Sequence, residues 1–199
     1  MTTRAPVAVK SPDELELDLA VAAAVAGDRS AVATIMTLIL PPVVRYCRAR
    51  INPGHRGRIC ADDVAQDVCF AVMTSLPRYQ DRGRPFMAFV LRVASHKVAD
   101  AHRDFSRQRV DPMAQVPDVA STDGGPEQRA LESEANRQMD SLLATLPDKH
   151  REILVLRLIL GLSAEETAAA VGGTAGAVRV TQHRALTKLR SQVRRPGSL

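Results

Sequence analysis

Arg179, Val180, His183 and Arg184 fall at spacings that put them on the outward side of one helix, with Thr174 just before it and Lys188 one turn further on. Guanidinium, imidazole and ammonium groups on one exposed face can hydrogen-bond phosphate oxygens and the edges of bases. No carboxylate offsets this charge. Glu166 is the last acidic residue in the chain, and Arg179, Arg184, Lys188, Arg190, Arg194 and Arg195 follow it. A solvated helix face usually mixes signs, as between Glu132 and Arg137, so a run of one sign favours a polyanion.

The elements that must hold these groups are legible around them. In LGLSAEETAAAVGGTAGAVRVTQHRALTKLR, residues 160–190, Ser163 and Glu166 have the spacing of a capping box that starts a helix. Gly172-Gly173 stops it, since glycine adopts the positive φ of a helix C-terminus. Thr174 can cap the next helix, whose inner face would carry Val178, Ala185 and Leu189. A small residue at Ala168, the turn glycine and a β-branched core residue at Val178 make a helix-turn-helix, whose second helix would enter a major groove. A helical hairpin of similar appearance is the competing reading. A disordered basic tail fits only from about Arg194 onward.

A second basic region lies upstream. Between Arg78 and Arg109 there are eight Arg and Lys against three Asp, with Tyr79, Phe86, Phe89 and Phe105 among them. Cations that hold a backbone beside rings that stack on bases suit single-stranded nucleic acid. Phe86 and Phe89 at i, i+3 equally suit core anchors at a helix start. The loop arginines Arg78, Arg82 and Arg84 are therefore the stronger candidates.

Composition bounds the rest. The chain of 199 residues has room for one large or two small domains, carries a formal charge of +5, and is 45% hydrophobic but only 3% aromatic, with no Trp. A core of Leu, Val, Ala and Ile favours helix over strand. No apolar run reads as long enough for a membrane span, and the N-terminus lacks a signal-peptide core, so a cytoplasmic protein without membrane insertion is expected. Cys47, Cys60 and Cys69 form neither a C-x-x-C pair nor an even set, and His96 and His102 are six apart. Neither a metal site nor a cofactor is expected. Asp62, Asp63 and Asp67 could suggest a nuclease, but no His or Glu cluster accompanies them. Carboxylates in a first helical turn more often answer the helix dipole or a basic partner.

The expected fold is all-α, two small helical domains joined by a flexible linker. Residues 1–12 and 196–199 read as disordered ends, 13–107 and 128–195 as domains, and 108–127 as the linker. Its stretch VDPMAQVPDVASTDGGPE, residues 110–127, holds three prolines, two glycines, four acids and no base. That acidity fits either a solvated tether or a segment seated in a basic channel. In the first domain, a helix over 13–26 would bury Leu15, Leu19, Ala22 and Ala26. Asp28 or Ser30 would cap a second helix over 31–51, interrupted at Pro41-Pro42. A third over 62–76 would bury Val64, Ala65, Val68, Cys69, Val72 and Leu76 and present Asp63, Gln66 and Asp67 outward, with Pro77 ending it. A fourth covers 85–107. After the linker come a helix over 128–146, on Leu131, Ala135, Met139, Leu142, Leu143 and Leu146, and a helix leading to the turn at Gly161.

DDVAQDVCFAVMTSLPRYQDRGRPFMAFVLRVASHKVADAHR resembles region 2 of extracytoplasmic-function (ECF) sigma factors, group 4 of the sigma-70 family. LPDKHREILVLRLILGLSAEETAAAVGGTAGAVRVTQHRALTKLR resembles their region 4. The resemblance covers about 20–107 and 128–192, with no region 3 between, and HKVADAHR and AVRVTQHRAL look closest to an actinobacterial sigma D type. It implies a transcription initiation factor rather than an enzyme, binding core RNA polymerase and promoter DNA. Asp63, Gln66 and Asp67 would dock on the β′ clamp helices, and the second domain would meet the β flap. Arg78, Arg82 and Arg84 would meet the −10 element and hold an extruded base. Arg92, His96, Lys97 and Arg103 would track the strand. Arg179, Val180, His183 and Arg184 would contact the −35 element, with Thr174 and Lys188 on phosphates. Arg92 and Lys97 remain open as plain surface charges. An anti-sigma factor is a further partner that the family often has.

Cys69, Met73 and Phe89 stand where relatives carry Phe, Trp and Trp, which keeps the apolar character but weakens a melting role for residue 89. Gln182 stands where Leu or Ile is common, so its amide needs a partner or faces DNA. A stand-alone helix-turn-helix regulator is the second reading. It would bind a specific duplex without polymerase, yet no dimerisation or ligand domain is visible in the sequence.

Overall fold

The structure is a computed structural model and describes residues 11–51, 59–108, 139 and 141–193. Every described element is a helix or a helical turn: α1 (Pro12–Val25), α2 (Ala31–Arg50), α3 (Ala61–Ser75) running into a 3₁₀ turn (Leu76–Arg78), α4 (Phe86–Gln108), α5 (Asp148–Leu154) running into a π turn (Val155–Ile159), α6 (Ala164–Val171) and α7 (Ala175–Val193). The expected linker beyond Gln108, the helix start with Leu131 and Ala135, and the two chain ends lie outside the described residues, apart from Ser11 and Pro12. Residues 141–144 are helical, and Met139 is exposed.

Local chemistry sets the first helix boundary. Ser11 Oγ accepts from Glu14 N, Ser11 N donates to Glu14 Oε2 at 2.7 Å, and Pro12 fills the first helical position, where a missing N–H costs nothing. The face α1 buries is not the expected one. Leu17, Ala20 and Val21 pack inward, whereas Leu15 and Leu19 are 52% and 74% exposed. In LELDLAVAAAV apolar residues occupy both sides of the helix, so two stripes compete, and packing against α2 selects between them.

α2 corrects a second expectation, because Pro41 and Pro42 do not interrupt it. An interior proline removes one i→i−4 bond and costs about 3 kcal/mol. Ile35, Ile39, Val43 and Tyr46 are fully buried on one stripe running through the prolines. At about 1.5–3 kcal/mol for each such side chain, burial offsets both prolines. Thr37, Leu38, Pro41 and Pro42 border a cavity of 510 Å³ shared with α1, α4 and residues 160–162. α2 is also long and apolar enough, by composition alone, to cross a membrane, contrary to the sequence reading. Its inward stripe belongs to the core between α1, α3 and α4. Asp28, not Ser30, supplies the side-chain bond before α2, accepting from Ser30 N at 2.8 Å and Ser30 Oγ at 2.6 Å.

The two helical sets share one core. Val155 and Leu156 of the π turn and Ala170 of α6 are buried in the cluster formed by α1 to α4. α4 packs on α6, and α2 packs on the π turn. At their junction lies a polar cluster. The Tyr46 hydroxyl is 2.7 and 2.8 Å from the two Glu152 oxygens, and Arg50 Nε lies 2.8 Å from Glu152 Oε2. Arg50 Nη2 donates to Asp148 Oδ1 at 2.7 Å, and the Ser95 hydroxyl joins from α4. Burial pushes the Glu152 carboxyl up, while the Arg50 charge and the Tyr46 phenol pull it back. Burial would also raise Asp148, but the hydrogen bond and charge of Arg50 hold it below the usual range. Arg50 Nε and Nη1 are both buried without a hydrogen-bond partner, Nε meeting Glu152 only as an ion pair.

Candidate nucleic-acid interface

The helix-turn-helix forms as its residues dictate. Ser163 N donates to Glu166 Oε2 at 2.6 Å, and Glu166 N donates to Ser163 Oγ at 3.1 Å. Gly172 closes α6 at φ 73°, its N–H and that of Gly173 both reaching the Ala168 carbonyl. A Cβ on Gly172 would lie 3.3 Å from Arg92 Nη2, so the turn is tight as well as left-handed. Thr174 Oγ1 accepts from Ala177 N at 3.2 Å and caps α7. Val178 and Ala185 are buried and Leu189 is half-buried, as expected. Ser163→Ala should lower unfolding stability by about 1 kcal/mol, read as a lower urea midpoint at unchanged slope. An unchanged midpoint would mean that the box contributes nothing.

On the outer side of α7, Arg179, Val180, His183, Arg184 and Lys188 are all exposed, with Thr174 at the entrance. They are not equally free. Arg179 Nη2 donates to Glu165 Oε1 at 2.7 Å, and Lys188 Nζ donates to the Thr145 carbonyl at 2.7 Å. His183 and Arg184 have no acidic partner among the described residues. Gln182 points to its own fold: its Oε1 accepts from Arg157 Nε at 3.0 Å, and Arg157 also bonds the Leu162 carbonyl. The amide oxygen of Gln182 thus has its partner within the chain. Gly172→Ala should destabilise the chain by 1 kcal/mol or more, roughly the cost of a left-handed alanine, and thermal melting reads it.

The second basic surface is built by α4 and the loop before it. Asp81 Oδ1 accepts from Gly83 N at 2.8 Å, and Gly83 sits at φ 70°, which turns the loop and leaves Arg78, Arg82 and Arg84 exposed. The aromatic question resolves toward packing. Tyr79, Phe86 and Phe89 form a ring cluster with centroids 5.0 to 5.6 Å apart, and Phe86 and Phe105 are buried. The cluster fastens the two ends of the loop rather than offering free stacking faces. Between the loop and α1 lies a cavity of 650 Å³ bordered by Asp18, Ala22, Tyr79, Asp81 and Arg84. Along α4, Arg92, His96 and Arg103 are exposed and Lys97 is half-exposed. Arg92 Nη2 comes close to the Gly172 turn, and Arg103 is ion-paired with Asp100.

Asp63, Gln66 and Asp67 are exposed on α3, but the three do not form one uniform patch. Asp67 borders a cavity of 770 Å³ lined from α4 by Lys97 and by Arg103 and Arg107, which pair with Asp100 and Asp104. Asp62 is held by Arg48 through bonds of 3.0 and 3.1 Å. Asp63 and Gln66 face outward with Phe70, which is 74% exposed. Sequence reasoning passed over Phe70, although its spacing of three from Asp67 and four from Gln66 was the available signal. No group of three or more metal-ligating side chains occurs among the described residues.

Known proteins carry the same two blocks. Residues 35–108 match the family described as Sigma-70 region 2, and residues 142–191 match Sigma-70, region 4. Over 177 residues the chain is 57% identical to the ECF RNA polymerase sigma factor SigD of Mycobacterium tuberculosis strain H37Rv, covering 89% of this chain and 84% of that protein. ECF RNA polymerase sigma factor ShbA of Streptomyces griseus is 47% identical over 173 residues, covering 84% and 90%. Among solved structures, CnrH in complex with the cytosolic domain of CnrY superposes with a TM-score of 0.64 at 24% identity, covering 92% of this chain and 97% of that one, which is a likeness of fold.

Proposed function

The chain belongs to the ECF RNA polymerase sigma factors, and we propose that its two basic surfaces read the two promoter elements while α3 holds the polymerase. Members of this family are initiation factors, not enzymes; they bind core RNA polymerase and direct it to promoters. Residues 13–107 would carry core binding and the −10 element, residues 128–195 the −35 element, and residues 108–127 would join them.

In this reading α7 enters the major groove, with Arg179, Val180, His183 and Arg184 toward base edges and Thr174 and Lys188 toward phosphate. Arg78, Arg82 and Arg84 hold the melted −10 strand, and an extruded base enters the 650 Å³ cavity. There Asp18 and Asp81 would accept from an exocyclic amine. Binding the single strand better than the duplex shifts the equilibrium toward melting. Arg92, His96, Lys97 and Arg103 follow the backbone. Asp63, Gln66, Asp67 and the added Phe70 dock on the basic β′ clamp helices, and the second domain meets the β flap. An anti-sigma factor is a candidate regulator and the cytoplasm the expected compartment.

The observation that carries this reading is the pairing of a cation-faced recognition helix with a basic loop and helix in one chain that matches both family regions. Run-off transcription of sheared genomic DNA by sigma-free core polymerase, with and without the protein, tests it. New transcript starts sharing upstream −35 and −10 sequences are expected. No new starts beside an active control would overturn it.

A further inference from the structure

We propose that Tyr46, Arg50 and Ser95 on one half of the chain, and Asp148 and Glu152 on the other, form a latch that holds the protein shut until polymerase and promoter open it. This rests on the sigma-factor reading for its consequence, though not for its geometry.

The latch joins residues 98 and 106 positions apart, and both its central partners are buried. Arg50 is 5% exposed and Glu152 8%. Around it Val155, Leu156 and Ala170 enter the core of α1 to α4. Two domains sharing a core in this way have centres roughly 30 Å apart, given a radius of gyration of about 13 Å each. Elements centred about 35 and 10 base pairs upstream of a start are separated by roughly 25 steps, or roughly 85 Å of duplex. The shut form therefore cannot sit on both. The expected linker, residues 108–127, would alone reach about 65 Å if fully extended, so the halves can part without unfolding.

The chemistry of the cluster makes it a two-position device. Shut, Arg50 is desolvated and depends on the charges of Glu152 and Asp148 for compensation, with Nε and Nη1 both left without a hydrogen bond although Nε lies at ion-pair distance from Glu152. Open, water solvates each charge. A buried pair with such incomplete satisfaction contributes little net stability, but removing one partner leaves a charge that only the open form tolerates. Opening is thus within reach of competing contacts, and Glu152 controls it.

Small-angle scattering of the full chain, without polymerase, tests the latch. The wild type should scatter as one compact particle. Glu152→Gln should raise the radius of gyration by on the order of 10 Å as the halves part, with helical circular dichroism unchanged. Its apparent affinity for core polymerase should rise about tenfold, since the competent fraction no longer limits binding. Tyr46→Phe should shift both readouts less, in the same direction, and it decides the matter should Glu152→Gln lose its helical signal. The double variant Arg50→Met, Glu152→Leu, which leaves no charge to desolvate, should return to the compact form. An extended wild type, or folded variants with wild-type dimensions and affinity, would overturn the latch. Neither result would touch the run-off outcome, which tests the sigma reading alone.

Discussion

Arg184→Ala should reduce initiation at promoters carrying a −35 element by about tenfold, and by about 5- to 150-fold across the range of 1–3 kcal/mol that a bidentate contact to guanine supplies. Arg184 is exposed on α7 and, unlike Arg179 and Lys188, is not already occupied by Glu165 or the Thr145 carbonyl. It would enter a groove without first giving up a bond. Run-off yields from a matched pair of templates, with and without the upstream element, measure the effect, and full activity on the first would remove Arg184 from the contact set. Template series and salt titration separate two roles. If Arg184 reads a base, its removal relaxes sequence preference at one position. If it holds a phosphate, its removal weakens all templates alike and lowers the salt slope by about one.

Phe70→Ala should weaken binding to core polymerase by roughly thirtyfold, the effect of about 2 kcal/mol typical of a buried aromatic anchor. Phe70 is 74% exposed, so its truncation leaves the core intact and the fold should melt as before. Asp63→Ala and Gln66→Ala flank it on the same face. Asp63→Ala should act mainly through a slower association and a weaker salt dependence, as rim charges do. Fluorescence anisotropy of labelled protein against core enzyme measures all three. Wild-type affinity for Phe70→Ala would move the docking face elsewhere on the molecule.

What the sequence displays and what it hides divide along the range of the forces involved. The turn between α6 and α7 is legible because its determinants lie within four residues of one another: Ser163 with Glu166, Gly172 with Ala168, Thr174 with Ala177. The outward residues of α7 follow from helical geometry once Val178 faces inward. The buried face of α1 is not legible, because a helix apolar on both sides gives no local reason to prefer Leu17 over Leu15 and Leu19. Local rules break α2 at its prolines, because the compensating burial of Ile35, Ile39, Val43 and Tyr46 comes from other elements. The cluster around Arg50 has no local sign at all. Its members sit in three separate stretches, and each looks like an ordinary surface or core residue until α2 and α5 meet. Gln182 likewise needs Arg157, 25 positions away, to find its partner.

The three cysteines have a practical consequence for watching this protein at work. Cys47 lies wholly inside the core, where burial pushes its thiol up to about 12, and Cys69 is buried and shifted the same way. Alkylating reagents attack the thiolate, so both are protected by shielding and by protonation. Cys60 alone is exposed, at the start of α3 and just under one turn before Asp63. A maleimide dye added to the unaltered chain should therefore attach at a single place, beside the face proposed to seat on polymerase. The native sequence supplies its own attachment point for an optical probe of docking, with no cysteine to remove first.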